Sequence, residues 1–175
     1  AIVIAHVVLA GGHRRMFLTD DTTTQIGTFA LVPQIVRAVS VPVIAAGGIA
    51  EPRGVAAAMA LGAAGVQVGT AYLLCPEAKT SPVHRAALKS EDASHTALTN
   101  LFTGRPARAI VNRLMRELGP LSDLPPAFPL AAAALQPLRA RAEALGRGDF
   151  SPLWCGQHRG CKEIPAAALT RQLMA

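Results

Sequence analysis

The residues best placed to do chemistry stand at three glycine turns. Gly11-Gly12-His13 follows a short apolar run, Ile2–Ala5. Gly47-Gly48 follows a second run, Val41–Ala46, and Gly69-Thr70 follows a third, Gly65–Val68. An imidazole near neutral pH can take up a proton or donate a hydrogen bond. His13, at the carboxyl end of a strand and just after two glycines, is therefore the candidate catalytic residue. The other two turns suit an anion. A turn opening a helix presents unpaired N–H groups and a positive dipole end. Glycine lets a phosphate approach the backbone, and Thr70 adds a hydroxyl. Two such turns on neighbouring strands are expected to grip one phosphate, as the last strands of (β/α)8 barrels often do.

Other reactive side chains are set aside. His6, His84, His95 and His158 lack the setting of His13. Cys155-x-x-His158-x-x-Cys161 has soft ligands, but zinc ordinarily takes four and no second pair lies nearby, so no metal is expected. Cys75 precedes Pro76 in an apolar stretch and reads as a small buried residue. Asp20-Asp21, in a polar loop, reads as a solvated turn rather than an acid–base pair.

The elements that must position these turns follow from hydrophobic pattern. β-branched residues fill the apolar runs, and the alanine-rich stretch Glu51–Leu61 between two of them ends at Gly62. That is strand–helix–strand, short enough for one parallel βαβ unit. A helix is expected over Val32–Val39, with Pro33 in its first turn. Residues 1–70 thus give three strands and two intervening helices. Beyond Thr70 the expected elements are a short helix begun by Ala71–Leu74, a helix over Ser81–Lys89, and an ambiguous Ser94–Phe102. A helix is expected over Pro106–Leu118, with Ile110, Leu114 and Leu118 on one face. The irregular linker Leu121–Pro129, a helix over Leu130–Leu145, a loop over Trp154–Gly160 and a last helix over Pro165–Met174 complete the chain. The expected division is 1–80, a mostly helical 81–150, and a closing loop and helix at 151–175.

Composition narrows the class. No apolar run in the 175 residues approaches a membrane span. The net charge is +6, yet the arginines are scattered and only Arg105–Arg116 forms a patch, without aromatics for base stacking. Neither nucleic acid nor membrane is an expected partner. Three cysteines make no disulfide framework, which fits a reducing cytoplasm.

Several stretches together resemble the nitronate monooxygenases, also called 2-nitropropane dioxygenases: AGGHRRMFL, TQIGTFALVPQIV, VPVIAAGGIAEPRGVAAAMALGAAGVQVGTAYLLCPEA, FTGRPARAIVNRLMREL and PLWCGQ. The resemblance runs over nearly the whole chain. It implies an α/β fold: a partial FMN-binding (β/α)8 barrel, about the last three βα units, with a helical second domain. It implies FMN held by Gly12 and Gly48, with Gln67, Val68, Gly69 and Thr70 at its phosphate end. It implies His13 beside the flavin, placing a nitro group or removing an α-proton. The reaction implied is oxidation of nitronates or nitroalkanes by dioxygen to carbonyl compounds and nitrite. A complete barrel needs about 250 residues, so the chain reads as a carboxyl-terminal portion that is inactive alone. The family usually has Gln-Gly-x-Glu-Ala-Gly-Gly-His-x-Gly where this chain has His6, Val7, Leu9 and Arg15 at the Gln, Gly, Glu and final Gly. The alternatives are an FMN-dependent enoyl-acyl-carrier-protein reductase, which shares the glycine segments, and a binding fragment without catalysis.

Overall fold

The structure, a computed structural model, describes residues 1–14, 16, 18, 19, 21–158 and 160–175. The expectations for Arg15 and for Asp20 lie outside the described residues. In chain order the elements are β1 (Val3–His6), β2 (Gly12–His13), α1 (Thr28–Ala38), β3 (Val43–Ala46), α2 (Pro52–Ala60), β4 (Gly65–Gln67), α3 (Pro82–Lys89), β5 (Thr96–Thr99), β6 (Ala107–Ile110), α4 (Arg113–Leu118), α5 (Leu130–Ala144) and α6 (Ala166–Leu173). They form two compact units. The first is Ala1–Ala10, Arg15–Ala78 and Gly156–Ala175; the second is Gly11–Arg14 and Lys79–Cys155.

The first unit is α/β with a parallel sheet, ordered β1-β3-β4. Val3 pairs with Val43 and His6 with Ala46; Ile44 pairs with Gly65 and Ala46 with Gln67. β3 and β4 therefore stop at the same level, and the turns that follow them leave the sheet side by side. The core between sheet and helices is made of small and β-branched residues: Ala5, Val32, Val43, Ala45, Ile49, Ala58 and Ala63 are all buried. Alanine at these positions lets α2 lie close to the sheet, and each valine buried there contributes about 1.5–3 kcal/mol. A second cluster, Ala71, Cys75, Leu169 and Leu173, docks α6 against the short 3-10 helix Thr70–Leu74.

Helix α1 starts at Thr28, not at Val32, so Pro33 lies inside it rather than in its first turn. Thr28 is buried, and its hydroxyl donates to the Gly47 carbonyl at 2.9 Å. That tertiary bond fixes the helix start near the turn after β3, which local propensity does not reveal.

The second unit contains an antiparallel sheet, β2-β6-β5, that the helical reading of 81–150 did not include. The helix expected over Pro106–Leu118 is corrected: Ala107–Ile110 is a strand, and only Arg113–Leu118 is helical. All four residues of β6 are buried, so no polar–apolar alternation marks the strand. Ile110 and Leu114 have helical spacing but lie on different elements. Asn112 sets the boundary by accepting the Met115 N–H on its side-chain oxygen at 3.4 Å. The ambiguous Ser94–Phe102 resolves as β5, pairing Thr96 with Ile110 and Thr99 with Ala107. Leu101, Phe102, Ala109, Leu114 and Met115 form the core of this unit. α3 starts at Pro82 with Ser81 capping the His84 N–H, and α5 and α6 lie within a residue of their expected bounds. Among the described residues no helix is long and apolar enough to cross a membrane.

Candidate functional site

The first unit holds the two turns expected to take an anion. Gly47 has φ +123°, and a Cβ there would come within 2.6 Å of Val7 Cγ2 and 2.9 Å of the Ala10 nitrogen. The turn after β1 therefore packs directly on the turn after β3, and only glycine fits. Gly48 has φ +72° and is exposed. Gly69 is also exposed, and a Cβ there would meet nothing within 4 Å. Among the described residues, the backbone N–H groups of Gly48, Ile49 and Ala50, and those of Gly69, Thr70 and Ala71, donate to no protein acceptor. With β3 and β4 ending in register, these donors form two adjacent sets at one end of the sheet. Such sets suit a phosphate, which takes several hydrogen bonds at once and gains from the helix end behind them.

Of the residues expected at the phosphate end, Gln67 closes β4 and is exposed, while Val68 packs into the core. Val68 is thus available through its backbone and not its side chain. Thr70 has a structural duty: its hydroxyl oxygen accepts the Gly156 N–H at 2.9 Å, which leaves the hydroxyl proton for another acceptor. The Thr70 carbonyl accepts the Cys161 thiol proton at 3.5 Å. Burial pushes the Cys161 thiol up, which keeps it protonated as that bond requires. The Gln157 N–H donates to the Leu9 carbonyl at 2.8 Å. Gly156, Gln157 and Cys161 are thereby tied to the turns after β1 and β4.

Beside these turns lies a cavity of about 700 Å³, lined by Gly48, Glu51, Ala71, His158, Lys162 and Gln172 among others. The His158 ring makes no protein hydrogen bond among the described residues, and its Nε2 is buried without a partner. Burial holds this imidazole below the usual histidine pKa, with Glu51 pulling weakly the other way.

The second unit holds Gly12 and His13. They form β2 rather than a free loop beyond β1: Gly12 pairs with Arg108 and His13 with Ala107. The His13 Nε2 lies 2.9 Å from the Thr103 hydroxyl. That hydroxyl has one proton, and the Arg105 carbonyl at 3.2 Å competes for it. When Arg105 takes it, Nε2 must be the donor and the lone pair sits on Nδ1. The ring lies 5.4 Å from the Trp154 ring and, edge-on, 5.8 Å from the Phe128 ring. An imidazole so placed is oriented by a hydroxyl and walled by aromatics, the setting of a positioned acid or base. Next to it in sequence, Arg14 is almost fully buried; desolvation and the Arg108 guanidinium lower its pKa to about 10.

The two units thus divide the expected residues: Gly48, Gln67, Val68, Gly69 and Thr70 stand in the first, Gly12 and His13 in the second. Thr103, Trp154 and His158 were not legible as site residues. No local motif marks them, because their neighbours come from distant parts of the chain. Among the described residues no cluster of three or more His, Cys, Asp or Glu is placed to hold a metal.

Comparison with known proteins bears on what such a site serves. The nitronate monooxygenase family model matches residues 1–175. A nitronate monooxygenase of Pseudomonas aeruginosa is 42% identical over 174 residues, covering 98% of this chain and 50% of the relative. The crystal structure of nitroalkane oxidase from Streptomyces ansochromogenes matches with a TM-score of 0.89 at 40% identity, over 98% of this chain and 50% of that one. FabK from Thermotoga maritima matches with a TM-score of 0.68 at 31% identity, over 99% of this chain and 53% of that one. The chain spans about half the length of the relatives it matches. With the family match running from the first residue to the last, the chain belongs to the nitronate monooxygenase family.

Proposed function

We propose that the whole protein is an FMN-dependent nitronate monooxygenase. It oxidises alkyl nitronates or nitroalkanes with dioxygen to carbonyl compounds and nitrite. On this reading the parallel unit is the last three βα units of a (β/α)8 barrel, and this chain alone does not turn over. The observation that carries the reading is the pair of donor-rich turns at one end of the sheet, in a chain of this family. The free N–H groups and the open face of Gly69 fit the phosphate of FMN. FMN, when bound, supplies the electron acceptor for the oxidation.

The chain's own residues have separate duties. The turns at Gly48 and Gly69 bind the phosphate through backbone N–H groups, and Thr70 adds its remaining hydroxyl proton. Gln67 and the Val68 backbone flank that end, and Gly12 leaves its face of β2 open. His13 removes the α-proton of a neutral nitroalkane or donates to the nitro group; Thr103 fixes which ring nitrogen holds the proton. Three cysteines that form no disulfide support a place in the reducing cytoplasm.

Two assays on the full-length protein test the reading: nitrite release from propionate 3-nitronate, and nicotinamide oxidation with a crotonyl thioester. Nitrite release by a protein that carries a flavin absorption band is expected. Thioester reduction without nitrite would move the assignment to the reductase, and the absence of flavin would end both. The higher identity and TM-score to nitroalkane oxidase than to FabK favour the nitronate reading.

A further inference from the structure

The geometry points to His158 as a ligand for the phosphate monoester in the cavity beside Gly48 and Ala71, donating from Nδ1 as a neutral imidazole. The inference rests on the phosphate reading of the turns. Its ground is the hydrogen-bond state of the ring. His158 lines the cavity together with Gly48, Ala71 and Lys162. Its own backbone is held on both sides. The Gly156 N–H is bonded to the Thr70 hydroxyl, the His158 N–H donates to the Gly156 carbonyl at 2.9 Å, and the Cys161 thiol reaches the Thr70 carbonyl. The Gln157 carbonyl lies 3.8 Å from where a Gly48 Cβ would stand. The ring thus stands beside Gly48 and Ala71.

Nε2 is buried with no acceptor. A proton placed there would be an unsatisfied buried donor, which folded proteins avoid more strictly than an under-satisfied acceptor. The neutral ring therefore keeps its proton on Nδ1, the nitrogen that is neither buried without a partner nor bonded to protein. Protonating the ring would put N–H on both nitrogens and leave one of them orphaned. The charged groups facing it are Glu51, at the start of α2, and Lys162, which donates to the Gln172 side chain at 3.0 Å. Glu51 repels a phosphate and Lys162 attracts it. Nδ1–H has no protein acceptor of its own among the described residues, and it stands on this wall with the Gln172 amide and the Lys162 ammonium as a side-chain donor. A phosphate oxygen is the acceptor it lacks.

Binding of FMN and of riboflavin to the full-length protein, read by flavin fluorescence quenching, tests this, with 15N NMR of labelled histidine as a second readout. Asparagine places an N–H near the position of Nδ1, and glutamine places one near Nε2. His158→Gln is expected to weaken FMN by ~10–100-fold, the loss of one hydrogen bond to a charged group. It should leave riboflavin unchanged, and His158→Asn should retain most of the FMN affinity. The loss should be similar at pH 6.5 and pH 8. Inorganic phosphate should shift the His158 Nδ1 resonance of an Nδ1–H tautomer. Equal losses for both flavins, no loss for either, or equal losses in the two variants would overturn the assignment. If the protein binds neither flavin yet phosphate moves Nδ1, the FMN reading fails and the phosphate contact stands. If phosphate leaves Nδ1 unmoved, the contact itself is refuted.

Discussion

Gly47 and Gly69 meet an added methyl group in opposite ways. At Gly47 the backbone is left-handed, and the methyl would collide with Val7 and the Ala10 nitrogen. Gly47→Ala is expected to destabilise the first unit by about 2–4 kcal/mol, from backbone strain plus overpacking. Chemical denaturation reads this directly. At Gly69 the backbone φ is −109° and the methyl meets no atom of the chain. Gly69→Ala should change stability by less than about 0.5 kcal/mol, as surface substitutions usually do. It should nevertheless weaken FMN, because the methyl occupies the open face a phosphate would use. A variant that keeps both stability and FMN affinity would place the phosphate elsewhere. His13→Ala is the complementary case. The phosphate donors belong to other residues, so FMN should stay bound while turnover falls by ~10²–10⁴-fold if His13 is the general base. If it only polarises the nitro group, a preformed nitronate should lose less than a neutral nitroalkane, and steady-state rates on both substrates decide. His13 stood out in the sequence because two glycines precede it. Nothing around His158 in the sequence shows that its Nε2 is orphaned, since Gly48 and Ala71 come beside it only across the fold.

At the scale of elements, Asn112 carries the boundary that hydrophobic spacing misplaced. Its side-chain oxygen caps α4, and its amide donates to the carbonyls of Gly148 at 2.9 Å and Ser151 at 3.0 Å. It is 6% exposed, so water cannot replace these partners. Asn112→Ala should lower the stability of the second unit by about 2–4 kcal/mol, a lost cap together with buried carbonyls left unsatisfied. Asn112→Asp keeps the capping oxygen but sets a buried carboxylate oxygen against the Gly148 and Ser151 carbonyls, so it should cost at least as much as Ala. Denaturation followed at Trp154, which pairs with Ala109 in the same unit, reads both variants. The parallel strands were legible because each is an apolar run closed by glycine. β6 was not, because a fully buried four-residue strand has no alternation and Arg108 sits inside it. Its guanidinium is bonded to the Thr96 carbonyl and hydroxyl, a solution visible only once β5 lies alongside.

Over the whole molecule, the α/β class and the glycine turns at the ends of β3 and β4 were readable from local pattern. The division into two units was not, because it depends on long-range pairing: the four residues Gly11–Arg14 join a sheet whose other strands begin at Thr96. Each unit also contains a histidine that burial holds below its ordinary pKa of 6.5: His158 in the first and His84 in the second. The His84 Nε2 lies 3.0 Å from the Trp154 carbonyl, which pulls its pKa back up less strongly than burial lowers it. A base with a depressed folded pKa binds protons more weakly in the folded state. The unfolded chain then takes up the extra protons, so stability is complete above the unfolded value and declines as pH falls through 6.5 toward the folded value. Carboxylates add their own losses only at lower pH; Glu143, held below its ordinary 4.5 by the Ser151 hydroxyl, loses its share as pH falls below that value. Melting of the chain between pH 7.5 and 5.5 should therefore report the two histidines before the acids. His84→Gln retains a donor toward the Trp154 carbonyl and cannot titrate, so it should flatten the pH dependence of the second unit while leaving that of the first. A wild-type melting temperature that stays level or rises as pH falls to 5.5 would show that neither imidazole resists protonation in the fold.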